Sequence, residues 1–270
     1  LDALLANTIP STPGRTCLPP LIGKRGGIAG DFTVTCLAEG DYVMFGSGMA
    51  ERYHSRFFAA VPLPAGTTWH STTDAMAGFN IAGPRSRDIL QSLTNADLSN
   101  AAFPFFRSAR IDVAGVSCIA LRVSFTGDLG WELHCAEADQ LRLYTALLQA
   151  TSAHEGGPVG SRALGSLRVE KGYGSWGRDY SPEYWPQECG LAGLVRLDKP
   201  FLNRDACLCL IAGNTACRQI SNLPLSQVSN SDTSSLALPA GSYSGAVLPA
   251  VSACPKAARC WKATGATSKP

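Results

Sequence analysis

Charged residues are scarce in this sequence: Asp, Glu, Lys and Arg make up 16% of its 270 residues, while hydrophobic residues make up 45%. This balance is typical of a folded globular protein and excludes an intrinsically disordered chain. The net charge is only +2 and Lys and Arg form no run, so the sequence does not indicate a nucleic-acid-binding protein. No apolar run is long enough to span a bilayer, so we expect no membrane partner.

The common catalytic and metal-binding signatures are also missing. No GxSxG, HExxH or P-loop pattern occurs, which excludes the signatures of the commonest hydrolases and NTPases. The ten cysteines include no CxxC pair and the four histidines lie far apart, so no metal site is predicted. Buried free thiols in a reducing compartment are the expected state of the cysteines.

One glycine motif is present but lacks the context that would make it functional. Residues 172–177 match GxGxxG, the fingerprint of dinucleotide-binding proteins. That fingerprint requires a strand before it and a helix after it, so that the helix N-terminus meets the pyrophosphate. Here a helical pattern precedes the glycines and an aromatic, proline-bearing loop follows them. We therefore reject a nucleotide site.

Helix and strand patterns are mixed along the chain without a regular alternation of the two. Alternating apolar and β-branched residues predict strands at residues 32–37, 42–45, 78–84, 109–113 and 117–123. Composition and helical periodicity predict helices at residues 1–6, 51–60, 86–93, 136–150 and 161–171. The predicted apolar stripe of the fourth helix is Leu141, Tyr144, Leu147 and Leu148. This order favours an α+β fold of mixed or antiparallel sheets with packed helices.

Residues 121–134 have the sequence LRVSFTGDLGWELH, which alternates apolar and polar residues on both sides of a Gly/Asp turn. Such a pattern predicts a β-hairpin or a kinked pair of strands. Glu132 stands between Trp131 and Leu133, where a carboxylate can accept hydrogen bonds from a flat, nitrogen-rich ligand. The competing interpretation is a surface glutamate at the end of a strand.

Asp31 is the second candidate carboxylate. It follows a glycine-rich approach, Gly26, Gly27 and Gly30, and opens the predicted strand at residues 32–37. A carboxylate held at the edge of an element, with the backbone close by, can hydrogen-bond or deprotonate an amine. As a bare pattern, an aspartate at a turn is also consistent with a local cap.

Six stretches lie in the order found in one protein family. They are KRGGIAGDFTVTCLAEGDYVMFGSG, FNIAGPRSRDILQSLT, FPFFRSARIDVAG, RVSFTGDLGWELH, ALGSLRVEKGYGSWGRD and ECGLAGLVRLDKPFLNRDA. This set resembles the folate-binding, aminomethyltransferase-like portion of dimethylglycine and sarcosine dehydrogenases. That portion is related to the T-protein of the glycine cleavage system. The resemblance runs over residues 1–206.

The resemblance implies a tetrahydrofolate site and gives the candidate residues their roles. Asp31 takes the place of an aspartate implicated in catalysis near the folate nitrogens. Glu132 takes the place of the glutamate that binds the amino and ring N–H groups of the pterin, and Phe125 and Trp131 would add ring contacts or pocket walls. Some relatives have Tyr at the position of Phe125, so its hydroxyl contact is absent here. A carboxylate that serves a cationic amine should stay ionised at neutral pH, so we expect no tuning of the Asp31 pKa.

The resemblance also predicts the domain organisation. Residues 1–206 are expected to form an N-terminally truncated folate-binding domain, and residues 207–270 a divergent or disordered remnant of the family's C-terminal β-barrel domain. The aminomethyltransferase fold would then be incomplete at both ends. The FAD-binding domain of the dehydrogenases is absent from the sequence, so amine oxidation itself is not expected. Leu164 and Gly165 depart from the residues that relatives commonly carry before the SLR sequence.

The function implied is a one-carbon-transfer module that forms 5,10-methylenetetrahydrofolate from an iminium derived from a small methylated amine. An FAD-dependent dehydrogenase domain or subunit is the implied partner. The implied location is the mitochondrial matrix in a eukaryote and the cytoplasm otherwise. Two alternatives remain open: a non-catalytic folate-domain relative that acts as a regulatory or protein-binding subunit, and a chain without a stable fold.

Overall fold

The computed structural model describes residues 1–212, 250–253 and 258–265 of the chain. Its helices are α1 (Glu51–Ala59), α2 (Ser86–Gln91), α3 (Gln140–Ser152), α4 (Ser161–Glu170) and α5 (Arg204–Ile211). Its first six strands are β1 (Thr16–Cys17), β2 (Pro20–Ile22), β3 (Ile28–Ala38), β4 (Asp41–Ser47), β5 (Thr67–Ser71) and β6 (Met76–Ala82). The remaining strands are β7 (Ser108–Val113), β8 (Val116–Leu121), β9 (Gly130–Ala136), β10 (Gly157–Pro158), β11 (Ala250–Ala253) and β12 (Ala258–Gly265).

The first sheet has the strand order β1-β3-β4-β12-β5, and β2 also pairs with β3. Strands β3 and β4 form the predicted antiparallel hairpin, and their turn includes Gly40 at a φ of 74°. A left-handed φ of this kind favours glycine, which explains why the turn falls at this position. One face of β3 packs Phe32 and Val34 against Leu5 and Phe58, and this contact forms the core beneath α1.

The second sheet has the strand order β10-β11-β6-β9-β8-β7. Every pair in it is antiparallel except β10 with β11. Helices α2 and α3 contribute Leu90 and Leu147 to a core that also holds Trp131 and Leu133 of β9. Two antiparallel sheets with helices packed on them are an α+β architecture, which confirms the predicted fold class.

A third, smaller core joins the two sheets. Val43 and Phe45 of β4 are buried against Ile119 and Leu121 of β8, together with Val123 just beyond that strand. These residues come from strands of different sheets, so one surface of each sheet faces the other. The space along this contact is where the candidate site lies.

Three local predictions need correction. Residues 1–6 form turns rather than a helix, with Leu4 and Leu5 both donating backbone hydrogen bonds to the Leu1 carbonyl. The buried stripe of α3 is Leu143, Leu147 and Thr151, whereas Leu141 is 76% exposed, because the sheet contacts a face rotated from the predicted one. The hairpin predicted at residues 121–134 is present, since β8 and β9 pair antiparallel with Leu121 in register with Glu132, but the first strand already ends at Leu121 and residues 122–129 form the connection.

The remaining helix and strand predictions agree with the structure to within a few residues. Helix α4 ends just before Gly172, which has a φ of 80° and donates its N–H to the Val169 carbonyl. Within the described ranges, no helix is both long and apolar enough to cross a bilayer.

The predicted boundary at residues 206 and 207 falls inside α5, which begins at Arg204 and ends at Ile211. Strands β11 and β12 pair with β6 and with β4 and β5, so two segments of the predicted C-terminal remnant extend the two sheets. Residues 213–249, 254–257 and 266–270 of that predicted remnant lie outside the described residues. The division into two domains therefore stays a prediction.

Candidate functional site

Asp31 lies on the face of β3 that looks toward the second sheet. Alternate residues of a strand point to the same side, so Asp31 shares a face with Thr33 and Thr35. The hydroxyl of Thr35 makes a short hydrogen bond with that of Ser108 in β7, which shows that this face meets the second sheet. Phe32 points the other way, into the core beneath α1.

Glu132 lies on the opposing surface, that of the second sheet. Its neighbour two residues along β9 is His134, whose ring stacks on Phe45 of β4 with centroids 3.9 Å apart. Phe45 is in register with Thr33, which shares its strand face with Asp31. Since His134 and Glu132 share one face of β9, both predicted carboxylates stand on the two surfaces that face each other.

The surroundings of Glu132 suit a ligand that donates hydrogen bonds. Its side chain is 21% exposed, and Oε2 lies 3.5 Å from Nε2 of His134. Glu132 is in register with Asn80 of β6, and residues in direct register across two strands project to the same side. A carboxylate and a carboxamide therefore stand side by side on this surface.

Asp31 has an altered acidity, which corrects the expectation that its pKa needs no tuning. Burial penalises the charged form and raises the pKa of Asp31 to about 6, while a hydrogen bond from its own backbone N–H acts in the opposite direction. Burial also raises the pKa of Tyr180, and the nearby Asp31 carboxylate contributes to that shift. A carboxyl group with a pKa near 6 is mostly ionised at pH 7 and exchanges protons readily near neutrality.

Two ring N–H groups hold the backbone just before Asp31. Trp176 donates from Nε1 to the Ile28 carbonyl over 3.0 Å, and His54 Nε2 lies 3.0 Å from the Ala29 carbonyl. A carbonyl oxygen only accepts, so Nε2 of His54 carries the proton. Burial lowers the pKa of His54 to about 4, which keeps this ring neutral at physiological pH.

The glycine-rich approach to Asp31 is required by close packing. A Cβ on Gly27 would lie 2.0 Å from the Pro182 carbonyl oxygen, and one on Gly30 would lie 2.7 Å from Nε2 of His54. Both distances are far below van der Waals contact, so any side chain at either position would displace its neighbour. Because it has no side chain, Gly27 leaves room for the 172–188 loop, and Gly30 leaves room for α1.

Phe125 lies in the β8–β9 connection and lines a small cleft. Asn80, Trp131, Leu164 and Leu167 also line it, so α4 forms one wall. The free volume of this cleft is about 20 Å³, which is room for about one water molecule and far below the roughly 300–1,000 Å³ of small-molecule sites. The predicted Phe125 position is therefore at a cleft bordered by both β6 and β9.

Trp131 has a different environment from Glu132. It is fully buried among the core residues of the second sheet, on the opposite face of β9. The guanidinium groups of Arg87 and Arg122 lie 5.5 Å and 5.8 Å from its ring centroid. Its ring borders the cleft from the core side and anchors the strand that carries Glu132.

Arg168 is the most buried charged residue near the cleft, with 7% exposure. It donates to Asp179 over 2.7 Å and to the Tyr173 carbonyl over 2.9 Å, so α4 is tied to the loop that follows it. Its guanidinium carbon also lies 6.0 Å from the ring centroid of Phe125. Arg168 therefore forms an ion pair that joins α4 to the loop that follows it.

The sequence did not single out Tyr180, His54, Trp176 or His134 as site residues. Tyr180, His54 and Trp176 each act on a partner distant in sequence, whereas His134 lies two residues from Glu132 and is held by the distant Phe45. The local pattern of each is that of an ordinary aromatic or core residue. Within the described part of the chain, no cluster of three or more His, Cys, Asp or Glu residues has metal-binding geometry. Free thiols are found at Cys17, Cys36, Cys118, Cys135, Cys189 and Cys207.

Comparison with known proteins identifies the chain as an aminomethyltransferase-like domain. The GCVT N-terminal domain family matches residues 1–199, and the chain belongs to this family, which is folate-binding. Mouse mitochondrial sarcosine dehydrogenase is 36% identical over 222 residues, which cover 76% of this chain and 24% of that protein. Mouse mitochondrial dimethylglycine dehydrogenase is 32% identical over 210 residues, with the same two coverages.

A solved structure has the same fold. The glycine cleavage system aminomethyltransferase T from Bartonella henselae superimposes with a TM-score of 0.63 at 20% identity, over 79% of this chain and 57% of that one. The chain spans about a quarter of the length of the two dehydrogenases. It is thus an aminomethyltransferase-like domain related to sarcosine and dimethylglycine dehydrogenases.

Proposed function

We propose that this domain binds tetrahydrofolate between its two sheets and serves as a one-carbon-transfer module. The observation that carries the proposal is the placement of Asp31 and Glu132 on the two surfaces that face each other across the inter-sheet contact. Phe125, at the cleft beside Glu132, would contribute an apolar contact to the flat ring system. Trp131 would form the wall behind it.

The residues present fit a pterin. A pterin offers an amino group and a ring N–H side by side, and an ionised carboxylate accepts such a pair in short, charge-assisted hydrogen bonds. Glu132 is accessible enough to do so. The carboxamide of Asn80 beside it can both donate and accept hydrogen bonds.

Bound tetrahydrofolate would supply the two nitrogens, N5 and N10, that bond to the iminium carbon. The bond between that carbon and the original amine nitrogen would break, the amine would leave with the displaced protons, and 5,10-methylenetetrahydrofolate would be the product. Asp31 would accept a proton at its carboxylate or stabilise the positive charge of the reacting amine. Its pKa of about 6 suits a group that takes a proton near neutral pH. Tyr180, buried close to it, would help to exclude water from the carboxylate.

The iminium would derive from a small methylated amine oxidised at an FAD-dependent dehydrogenase domain or subunit. The mitochondrial relatives support a location in the mitochondrial matrix if the source is a eukaryote, with the cytoplasm as the location otherwise. A second candidate is a folate-domain relative without catalysis, which is favoured by Phe125, where some relatives have Tyr, and by Leu164.

Calorimetric titration with tetrahydrofolate tests the proposal. Glu132→Ala should weaken binding by roughly 1–3 kcal/mol, because the N–H donors of the ligand would lose their acceptor in a desolvated site. Glu137→Ala is the matched control, since this exposed carboxylate lies just beyond the same strand and should leave affinity unchanged. Equal affinities for wild type and Glu132→Ala would remove Glu132 from the site. Binding without one-carbon transfer would favour the second candidate.

A further inference from the structure

We propose that His134 is a positioning residue, which orients Glu132 for its ligand by donating a hydrogen bond from Nε2. This inference rests on the tetrahydrofolate-binding function proposed above. Nε2 of His134 lies 3.5 Å from Oε2 of Glu132, and the imidazole is only 5% exposed. Within the described residues, this nitrogen is buried and makes no hydrogen bond at normal length. A buried polar nitrogen directed at a carboxylate points to a contact between the two.

The imidazole is held by its neighbours while the carboxylate remains accessible. The ring stacks on Phe45 with an interplanar angle of 20°, and Gly78 of β6 lies against its other side. A Cβ on Gly78 would lie 3.0 Å from Nδ1 of His134, so the glycine leaves the ring just enough room. Glu132 is therefore the mobile partner. A shift of about half an ångström brings its Oε2 within the usual hydrogen-bond distance of about 2.9 Å.

A donor fixed at Oε2 would decide how the carboxylate meets the ligand. His134 would restrict Glu132 to one side-chain conformation, and Oε1 together with the remaining lone pair of Oε2 would face the space between the sheets. A carboxylate already oriented loses less conformational freedom when the ligand binds. His134 would thus raise affinity without touching the ligand.

Two substitutions at position 134 separate this role from packing. His134→Phe keeps an aromatic ring on Phe45 but removes the donor, and it should weaken tetrahydrofolate binding about 3- to 10-fold, the size of one hydrogen bond. His134→Gln can place an amide N–H near the position of Nε2 and should recover most of that loss. In a Glu132→Ala background, His134→Phe should cause no further loss, because the acceptor that His134 orients is gone. An equal loss in both backgrounds would overturn the proposal.

A measurement without ligand keeps this inference distinct from the proposed function. The ¹⁵N chemical shift of His134 Nε2 in the free protein should change in Glu132→Ala but stay constant in the surface control Glu137→Ala. An unchanged shift in Glu132→Ala overturns the positioning role, whatever the protein binds. A changed shift in a protein that does not bind tetrahydrofolate overturns the proposed function and leaves the His134–Glu132 contact in place.

Discussion

His54 and Trp176 are in contact, with ring centroids 4.9 Å apart, and they bind successive carbonyls of one strand. His54 comes from α1 and Trp176 from the loop after α4, so two distant parts of the chain converge on Ile28 and Ala29. Asp31 follows two residues later. The orientation of this carboxylate therefore depends on a pair of aromatic side chains that do not reach the inter-sheet surface.

Trp176→Phe tests that dependence. The substitution keeps an aromatic ring beside Tyr53 but leaves the partly buried Ile28 carbonyl without its donor, so we expect a loss of about 1–3 kcal/mol in the free energy of unfolding. One-carbon transfer should fall more than tetrahydrofolate affinity, because the change affects Asp31 rather than Glu132. Urea denaturation and a transfer assay measure the two effects.

Tyr184→Phe is the control for this loop. Tyr184 is 47% exposed, and it contacts β3 through its backbone carbonyl, which accepts the Ile28 N–H and is kept in the variant. Both stability and transfer should remain near the wild-type values. If Trp176→Phe behaves like Tyr184→Phe, the indole N–H does not position Asp31.

Gly27→Ala should destabilise the domain by about 1–3 kcal/mol, the usual range for a group forced into a packed site. The added methyl would lie 2.0 Å from the Pro182 carbonyl oxygen, and the rigid backbone on both sides must shift. The matched control is Gly193→Ala, because a Cβ there has no heavy atom within 4 Å among the described residues. Thermal melts of the two variants should differ clearly, and equal melting temperatures would contradict the close packing of the 172–188 loop.

Asp31→Asn should remove the rise in the one-carbon transfer rate with pH that the wild type shows on the acidic side of its pH profile. In the wild type, the rate should rise as Asp31 ionises around its pKa of about 6 and level off above it. The amide cannot take a proton, so its rate should be low and flat across this range, while tetrahydrofolate affinity changes little. Asp88→Asn, on the exposed surface of α2, should retain the wild-type profile. A wild-type profile in Asp31→Asn would exclude Asp31 from proton transfer.

The same variant should be more stable than the wild type at neutral pH. A carboxyl whose pKa is raised from about 3.8 to about 6 on folding stabilises the fold below pH 3.8, and that contribution is lost as pH rises through 6. The amide that replaces the carboxyl never ionises, so the variant should gain about 3 kcal/mol at pH 7 and nothing near pH 3.5. Urea unfolding at the two pH values measures this difference, and a gain of equal size at both would have another cause.

Local patterns were sufficient for the β3–β4 hairpin and for the positions of α1 and α4. Gly40 and Gly172 mark the ends of these elements because each adopts a left-handed φ that other residues rarely take. The buried face of α3 could not be predicted from its local pattern. Leu141 and Leu143 are equally apolar, and only the position of the sheet decides that Leu143 is buried while Leu141 is exposed.

The candidate site, too, could be predicted from the sequence only in part. The glycine-marked contexts of Glu132 and Asp31 make each a candidate, but only the resemblance to the family gives them site roles, and these roles stay a prediction. Strand alternation alone predicts that Trp131 lies on the face of β9 opposite Glu132, and in the structure its ring is buried in the core of the second sheet. The altered pKa of Asp31 could not be predicted, because it arises from burial beside a loop roughly 150 residues away along the chain.

The strand that carries Asp31 holds two titrating groups with opposite responses to acid. On one face, Asp31 takes up a proton more readily in the folded state; against the other face, His54 takes one up less readily, with its pKa lowered to about 4. As pH falls from about 6 to 4, protonation of Asp31 stabilises the folded state. Over the same range His54 is protonated more readily in the unfolded state, which destabilises the fold. The two effects oppose each other, so the pair makes the fold less sensitive to mild acidification than either group alone would.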